Sequence, residues 1–205
     1  MPVYALWSAP RARSTAFFRS MLERGDMVVA HEPFSDLAGL GETDVDGRPF
    51  DAPLALLEWL RDDTLDRNVF LKDTPTRRLP EVFADRRFLA DARHAFLIRR
   101  PEEIAASSYA VESKGMDVDS IGLETLYDLY VAVRDAGGHA PVVLDSDDLV
   151  DRPEVTMRAY CAAVGLPFVP AALTWAPGDR PEWRRSARWH VDVSASAGFE
   201  RRAQT

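Results

Sequence analysis

A chain of 205 residues is long enough to bury one substantial hydrophobic core, and its length does not require a second domain. Its formal net charge of −8 argues against binding to a nucleic-acid backbone, because such binding usually needs a basic surface. Hydrophobic residues make up 46% of the chain and charged residues 28%, which excludes a chain that is disordered throughout. We therefore expect one folded domain over residues 1–205 that does not bind nucleic acid.

Short apolar runs alternate along the chain with stretches of helical spacing. The strands are predicted at 3–8, 27–30, 68–72, 94–98 and 141–144, and helices at 14–24, 53–66 and 153–164. Strands joined by helices form right-handed crossovers, so the sheet should be parallel and covered on both faces. The predicted fold is a three-layer α/β/α arrangement around a central parallel sheet of about five strands, like that of P-loop NTPases. Ligands are expected at the carboxyl edge of the sheet.

The segment 36–53 interrupts this alternation. It is rich in glycine, aspartate and proline, which favour turns over regular structure. Long polar loops of this kind commonly cover binding sites. We therefore predict a long polar loop that acts as a mobile lid.

Nothing in the sequence indicates export, membrane insertion or a metal site. The N-terminal residues lack a basic stretch followed by a long apolar run, and no segment approaches the length needed to span a bilayer. The single Cys161 has no partner for an intramolecular disulfide, and its helical context predicts a small buried hydrophobe. The four histidines do not cluster at ligand spacing. We expect a cytoplasmic protein with no metal and no membrane partner; the sequence leaves monomer and homo-oligomer open.

The first loop, 8–15, joins the first predicted strand to the first predicted helix. Unpaired backbone N–H groups and the helix dipole both favour an anion at such a point. Ser14 and Thr15 can each donate a hydroxyl, and Arg11 can form a forked charge-assisted contact. The loop is not a Walker A motif, since Arg13 stands where the lysine would be. The alternative is that Ser14 merely caps the helix.

This loop resembles the phosphosulfate-binding loop of sulfotransferases that use 3′-phosphoadenosine 5′-phosphosulfate (PAPS). Pro10, Arg11, Ser14 and Thr15 match the loop of that family, whereas Arg13 replaces its usual glycine. The resemblance implies that PAPS is the donor substrate. It assigns donor binding to Pro10, Arg11, Ala12, Arg13, Ser14 and Thr15.

A second resemblance covers residues 96–109, which read FLIRRPEEIAASSY. An apolar strand, a basic turn, a proline that starts a helix and a serine one turn inward follow one another. In the sulfotransferase family the corresponding residues hold the 3′-phosphate of the donor, and here they are Arg99, Pro101 and Ser107. An arginine at a strand end and a hydroxyl on the next helix can converge on one phosphate. The alternative is a surface ion pair for Arg99 and a helix-filling role for Ser107.

Two further segments extend the resemblance. Residues 144–168 resemble the scaffold helix of the family and carry no assigned catalytic role. Residues 189–199 resemble the late loop that closes on the 3′-phosphate, so we predict a donor-closing C-terminal segment at 180–205. The donor contacts assigned there are Arg184, Arg185, Ser196 and Gly198. The alternative is a solvated basic tail.

Sulfuryl transfer needs donors for the sulfuryl oxygens and a base for the acceptor proton, and it needs no metal. Lys72 ends the third predicted strand, where many members of the family place a lysine near the sulfuryl group. Arg11 is assigned to the same task. The histidine base of the aryl and steroid branch would fall at Thr74, so the base must come from elsewhere.

The segment that follows the second predicted strand resembles the branch of the family in which a glutamate is the base. Glu32 is therefore the predicted base, with His31 as its rival and Asp73 as a third candidate. An apolar wall and a nearby anion are expected to raise the pKa of Glu32. The alternative is that Glu32 forms a salt bridge to Arg11 or Lys72 that only orients them.

The acceptor is predicted to be a small molecule that offers a hydroxyl or an amine. Aromatic residues can supply its walls, although aromatics at helical spacing are more often core. These residues are Phe17, Phe34, Phe50, Trp59, Tyr109 and Tyr127. Two other functions remain open: a P-loop-type small-molecule kinase, and a sulfotransferase-like protein that binds the nucleotide without transferring sulfuryl groups.

Overall fold

The computed structural model describes residues 2–62, 65–76, 79–111 and 121–201. Five parallel strands form its main sheet, in the order β2-β5-β1-β6-β7. The strands are β1 Val3–Ser8, β2 Met27–His31, β5 Asn68–Asp73, β6 Arg93–Ile98 and β7 Val142–Asp145. Each predicted strand is present, with bounds that differ by at most one residue at either end. The predicted parallel α/β fold is confirmed.

Helices connect the strands and cover the sheet. They are α1 Ser14–Glu23, α2 Pro33–Leu40, α3 Pro53–Leu60, α4 Pro80–Ala84, α5 Arg86–Asp91, α6 Pro101–Tyr109, α7 Leu123–Ala136, α8 Ser146–Asp151, α9 Pro153–Val164 and α10 Val191–Ser194. Proline opens many of them because its fixed φ suits the first helical position and its missing N–H is not needed there. The predicted helix 53–66 ends at Leu60, and residues 63 and 64 lie outside the described part. Among the described residues, no helix is both long and apolar enough to cross a membrane.

The central strand β1 shows why the fold has three layers. Successive side chains of a strand point to opposite faces. Ala5 and Trp7 accordingly pack in one buried apolar cluster, and Tyr4 and Leu6 in another. Cys161 is buried in the second cluster, as predicted, and burial raises the pKa of its thiol. The division of residues 1–205 into a single domain stays a prediction.

The segment 36–53 is not a loop, so that prediction is wrong in its secondary structure. It contains most of α2 and a hairpin of β3 Thr43–Val45 and β4 Arg48–Phe50. Asp46 and Gly47 form the two-residue turn with φ values of 56° and 77°, the geometry that an Asp-Gly pair favours between strands. Val45 and Phe50 are buried in the first apolar cluster. Movement of this segment over a site stays a prediction.

Candidate functional site

A cavity of about 820 Å³ opens at the carboxyl edge of the main sheet. Its walls come from the loop after β1, the ends of β2 and β5, helix α6 with the residues before it, and the C-terminal segment. The polar residues that line it are Arg11, Arg13, Ser14, Thr15, Glu32, Lys72, Thr74, Thr76, Arg99, Ser107, His190, Asp192, Ser196 and Glu200. The cavity therefore lies where a parallel sheet of this kind offers its ligand site.

The loop after β1 turns twice through the left-handed region. Arg11 has a φ of 60° and Arg13 a φ of 64°. Glycine adopts this conformation freely, whereas a residue with a Cβ is strained there. Arg13 thus adopts a backbone conformation that a glycine at this position would adopt without strain. Arg13 is also the residue that precedes α1, so Ser14 is the first helical residue and not the cap.

The Arg11 guanidinium joins three walls of the cavity. Its Nε donates to Ser107 Oγ at 3.1 Å, and its Nη1 donates to the carbonyl of Trp189 at 2.7 Å. Burial lowers the pKa of Arg11, with the nearby Asp192 opposing that effect. Arg11 therefore links the first loop to α6 and to the C-terminal segment.

Arg99 approaches the same loop from the end of β6. Its Nη1 donates to the carbonyl of Arg11 at 2.6 Å, and its Nε donates to Glu103 Oε2 at 2.9 Å. Arg99, Ser107 and Arg11 thus meet at one place, although Ser107 lies 96 positions after Arg11. The structure brings together the two groups that were predicted to hold one phosphate.

The Arg13 guanidinium is hydrogen-bonded to the start of α8. Its Nη1 donates to Asp147 Oδ1 at 2.6 Å and to the carbonyl of Ser146 at 3.0 Å, both at the start of α8. Its guanidinium lies 3.8 Å from Glu103. The side chain of Arg13 ties the loop to the scaffold, and Ala12 beside it is fully buried.

Glu32 and Lys72 form an ion pair at the ends of β2 and β5. Thr74 Oγ1 also donates to Glu32 Oε1, at 2.9 Å. Burial by itself raises the pKa of Glu32, but the charge of Lys72, assisted by His31 and these hydrogen bonds, lowers it to about 2. The expected rise in the pKa of Glu32 is wrong. Glu32 instead forms a salt bridge to Lys72, which was the alternative to a base role.

The carboxylate of Asp73, the third candidate base, is hydrogen-bonded to donors at the start of helix α2. Its carboxylate accepts from the backbone N–H of Phe34 at 2.7 Å, from Ser35 Oγ at 2.5 Å and from the backbone N–H of Thr74 at 2.8 Å. Burial, with the charge of Glu32, raises the pKa of Asp73 to about 6. Asp73 does not line the cavity and anchors the start of α2.

His190 lines the cavity and was missed in the sequence. Its Nδ1 lies 3.0 Å from Thr15 Oγ1, and its Nε2 lies 3.0 Å from Ser186 Oγ. Burial, with the charges of Lys72 and Arg11, lowers its pKa to about 4. No spacing marks this residue. The only signal was its place in the segment that resembles a site-closing loop.

His31 lies behind His190, with ring centroids 4.9 Å apart. It is buried, and burial together with the charge of Lys72 lowers its pKa well below the ordinary value. His31, Glu32 and His190 have potential ligand atoms within 4.8 Å of one another. Because the ammonium of Lys72 already occupies this carboxylate, the cluster is a poor host for a metal cation.

Two of the four donor contacts predicted in the C-terminal segment lie at the cavity. Ser196 and Gly198 line the cavity, but the Ser196 hydroxyl is engaged by Trp175 Nε1 at 3.1 Å and by the carbonyl of Val193 at 2.8 Å. Arg184 and Arg185 are exposed and do not line it. Arg185 instead pairs with Glu42 at 3.2 Å, so these two arginines are not brought to the predicted donor site. Residues 202–205 lie outside the described part.

None of the aromatic residues suggested as acceptor walls lines the cavity. The rings of Phe17, Phe34 and Phe50 are buried in the two apolar clusters, and Trp59 packs against one of them. The side chains of Tyr109 and Tyr127 are mostly exposed. The apolar walls come mostly from small residues, with one aromatic residue that was not among those suggested: Pro10, Ala16, Ala106, Ala110, Val111, Val150, Val193 and Trp189.

Comparison with known proteins gives a family match over almost the whole chain. Residues 1–203 match the family described as a sulfotransferase domain. Two Arabidopsis thaliana proteins, named branched-chain-amino-acid aminotransferase-like proteins 2 and 1, are 29% identical over 210 and 204 residues. These matches cover 97% and 94% of this chain but 36% of each relative. The chain thus spans about a third of the length of the curated relatives it matches.

Solved structures share the fold at low sequence identity. A sulfotransferase from Alicyclobacillus acidocaldarius has a TM-score of 0.54 and 15% identity, covering 96% of this chain and 97% of that one. A sulfotransferase domain from the curacin biosynthetic pathway has a TM-score of 0.51 and 11% identity, covering 98% and 84%. A mouse sulfotransferase complexed with PAP has a TM-score of 0.51 and 8% identity, covering 83% and 60%.

Proposed function

Because this chain belongs to the sulfotransferase domain family, we propose that it transfers a sulfuryl group from PAPS to a hydroxyl or amine of a small-molecule acceptor. The proposal that PAPS is the donor rests on one observation. Arg11, Arg99 and Ser107 converge beside a helix N-terminus at the cavity, where they can hold a phosphate. The similarity to a mouse sulfotransferase that was solved with PAP supports the same class of nucleotide.

The first loop is proposed to hold the phosphosulfate end of the donor. Ser14 and Thr15 begin α1 and line the cavity, so their backbone N–H groups and the Ser14 hydroxyl are available to an anion. Arg99 and Ser107 are proposed to bind the 3′-phosphate. Ser196 and Gly198 contribute the facing wall, whereas Arg184 and Arg185 take no part.

Lys72 is proposed to stabilise the charge that develops on the sulfuryl oxygens during transfer. Its ammonium lines the cavity and is almost completely buried, so its interaction with an anion is weakly screened. Glu32 holds this ammonium through the ion pair. We therefore assign Glu32 to the positioning of Lys72, in place of the base role expected from the sequence.

The acceptor is proposed to be a small molecule because the cavity, at about 820 Å³, has the size of a small-molecule site. Its small apolar side chains favour a partly apolar acceptor. A cytoplasmic location stays a prediction from the sequence.

Calorimetric titration of 3′-phosphoadenosine 5′-phosphate (PAP), the product nucleotide, tests the donor site. Wild type should bind PAP more tightly than ATP, with or without Mg²⁺. The Arg99→Ala/Ser107→Ala double variant should bind PAP about 100-fold more weakly, since two hydrogen bonds to a charged group are removed. Arg158→Ala removes an exposed arginine that pairs with Glu154 and should leave PAP binding unchanged.

Two results would contradict the proposed donor. Tighter binding of ATP with Mg²⁺ than of PAP would favour a P-loop-type kinase. PAP binding that is the same in wild type and the double variant would place the nucleotide elsewhere.

A further inference from the structure

The proposed reaction needs a group that removes the acceptor proton, and the two carboxylates considered for this role, those of Glu32 and Asp73, are committed elsewhere. Glu32 Oε1 is occupied by Lys72 and Thr74. Asp73 is enclosed by donors from the start of α2. A carboxylate with a pKa of about 2, such as Glu32, is also a weak base at neutral pH.

His190 is held rigidly at the cavity wall. The 3-10 helix Pro181–Trp189 ends directly before it, and α10 begins directly after it. Its backbone N–H donates to Ala187 at 2.9 Å, and its carbonyl accepts from the N–H of Ser194 at 3.0 Å. The ring is thereby directed at Thr15, the loop residue proposed to face the phosphosulfate.

The contacts of Ser186 favour one of the two tautomers of His190. The Ser186 hydroxyl lies 3.5 Å from the carbonyl of Trp183, to which it donates. Its oxygen then accepts from Nε2–H of His190, at 3.0 Å. In that tautomer Nδ1 carries a free lone pair, which accepts from the hydroxyl of Thr15 when no ligand is present. A base with one nitrogen facing the reacting group and the other held by a third residue is the usual arrangement for proton removal in group transfer.

We propose that His190 Nδ1 accepts the proton of the acceptor hydroxyl during sulfuryl transfer, with Ser186 as its positioning residue; this inference rests on the proposed function. The acceptor oxygen forms a bond to sulfur while the bond between sulfur and the bridging phosphate oxygen breaks. The electron pair of the broken bond stays on the phosphate oxygen, which leaves as PAP. The acceptor proton passes to Nδ1 and then to water.

Binding of the donor changes the charges around His190 in the direction that this role needs. Burial lowers its pKa to about 4, as do the charges of Lys72 and Arg11, while Glu32 acts in the opposite direction. The ring is therefore neutral and able to take a proton at physiological pH. A bound PAPS places negative charge beside Lys72 and Arg11, which offsets two causes of the lowered pKa and strengthens the base. The pKa of His31, whose ring faces His190, is also lowered, chiefly by burial and by the charge of Lys72.

The test compares His190→Gln and His190→Ala with wild type, using ³⁵S-labelled PAPS as donor and phenol or water as acceptor, since both carry their proton at neutral pH and must lose it during transfer. Glutamine keeps hydrogen-bonding groups at this position but takes no proton. We expect kcat to fall about 100-fold or more in both variants. The dissociation constant of PAP should stay within about threefold of wild type. His139→Gln, at an exposed position outside the cavity, is the matched control.

Two additional readouts separate proton transfer from a structural role. Added imidazole should restore part of the rate in His190→Ala, in proportion to its unprotonated fraction, and should have no effect on wild type. Ser186→Ala should lower kcat about tenfold with KM unchanged, because it loosens the ring without removing the base.

The outcomes distinguish this inference from the function on which it rests. Transfer by His190→Gln within about threefold of an active wild type, or absence of rescue by imidazole, would overturn the role of His190 alone. A wild type that binds PAP but transfers sulfuryl to neither acceptor would overturn the proposed function, and the role of His190 with it.

Discussion

The arginine side chains of the cavity are held in place by the protein before any ligand arrives. Arg11 donates to Ser107 and to the carbonyl of Trp189, and Arg99 donates to the carbonyl of Arg11. Long charged side chains lose considerable rotamer freedom when they bind an anion. Because that freedom is already reduced here, less of the binding free energy is lost to ordering them.

The buried ion pair between Glu32 and Lys72 gives a prediction at the residue scale. Glu32→Gln leaves the ammonium of Lys72 buried without a counter-charge, so the free energy of unfolding should fall by about 3 kcal/mol or more in urea titrations. Glu154→Gln is the matched control, since Glu154 pairs with Arg158 on the surface and such pairs contribute about 0–1 kcal/mol. Equal losses in the two variants would mean that the pair does not stabilise the fold.

The double variant Glu32→Gln/Lys72→Met separates stability from activity. It removes both charges, so most of the lost stability should return, whereas sulfuryl transfer should be abolished because the ammonium of Lys72 is absent. Recovery of transfer along with stability would show that Lys72 is not needed for the reaction.

At the scale of the elements, the strands were predictable because their apolar runs are short and continuous and are bounded by turn residues. The hairpin of β3 and β4 was not predicted, although Asp46-Gly47 is a turn signal, because its strands are only three residues long and little apolar pattern accompanies them. Helix α2 was hidden by Gly39 within it and by the glycines and aspartates that follow. Its start depends on Asp73, a distant residue that no local pattern reveals.

Two glycines test how closely the elements pack. A Cβ at Gly138, just after α7, would lie 1.8 Å from the carbonyl oxygen of Ala90 in α5, so Gly138→Ala should destabilise the protein by about 2 kcal/mol or more. Gly39 lies within α2 with no atom within 4 Å of such a Cβ, and Gly39→Ala should stabilise the protein by about 0.5–1 kcal/mol. Thermal unfolding of both variants measures the two effects. A neutral Gly138→Ala would mean that α5 and the end of α7 do not approach so closely.

At the scale of the whole molecule, the cavity is assembled from parts of the chain that are far apart in sequence. Arg99 and Ser107 could be predicted as site residues because the strand, proline and helix around them form a local pattern. The contacts that join residue 11 to residues 107 and 189 could not, since they depend on tertiary packing alone. His190 was missed for the same reason.

Nucleotide binding should therefore stabilise the fold as a whole. At a PAP concentration of 100 times Kd, the free energy of unfolding should rise by about 2.7 kcal/mol, provided that PAP binds only the folded protein. Amide hydrogen exchange should slow in 189–198, the part of the C-terminal segment that lines the cavity. At the same PAP concentration the Arg99→Ala/Ser107→Ala variant, with a Kd about 100-fold higher, should gain only about 0.4 kcal/mol and should show much less slowing of exchange. Slower exchange confined to 8–15 would contradict the predicted closure of the C-terminal segment on the donor.

The wall formed by residues 189–198 also sets an order of events during synthesis. The ribosome makes the loop 8–15 first, and the strands and helices of the sheet can fold as they emerge. During these stages a nucleotide meets the first loop, Arg99 and Ser107 without the facing wall, because His190 and the carbonyl that accepts from Arg11 have not yet been made. We therefore expect nucleotide to stabilise a growing chain fully only after that wall has left the ribosome.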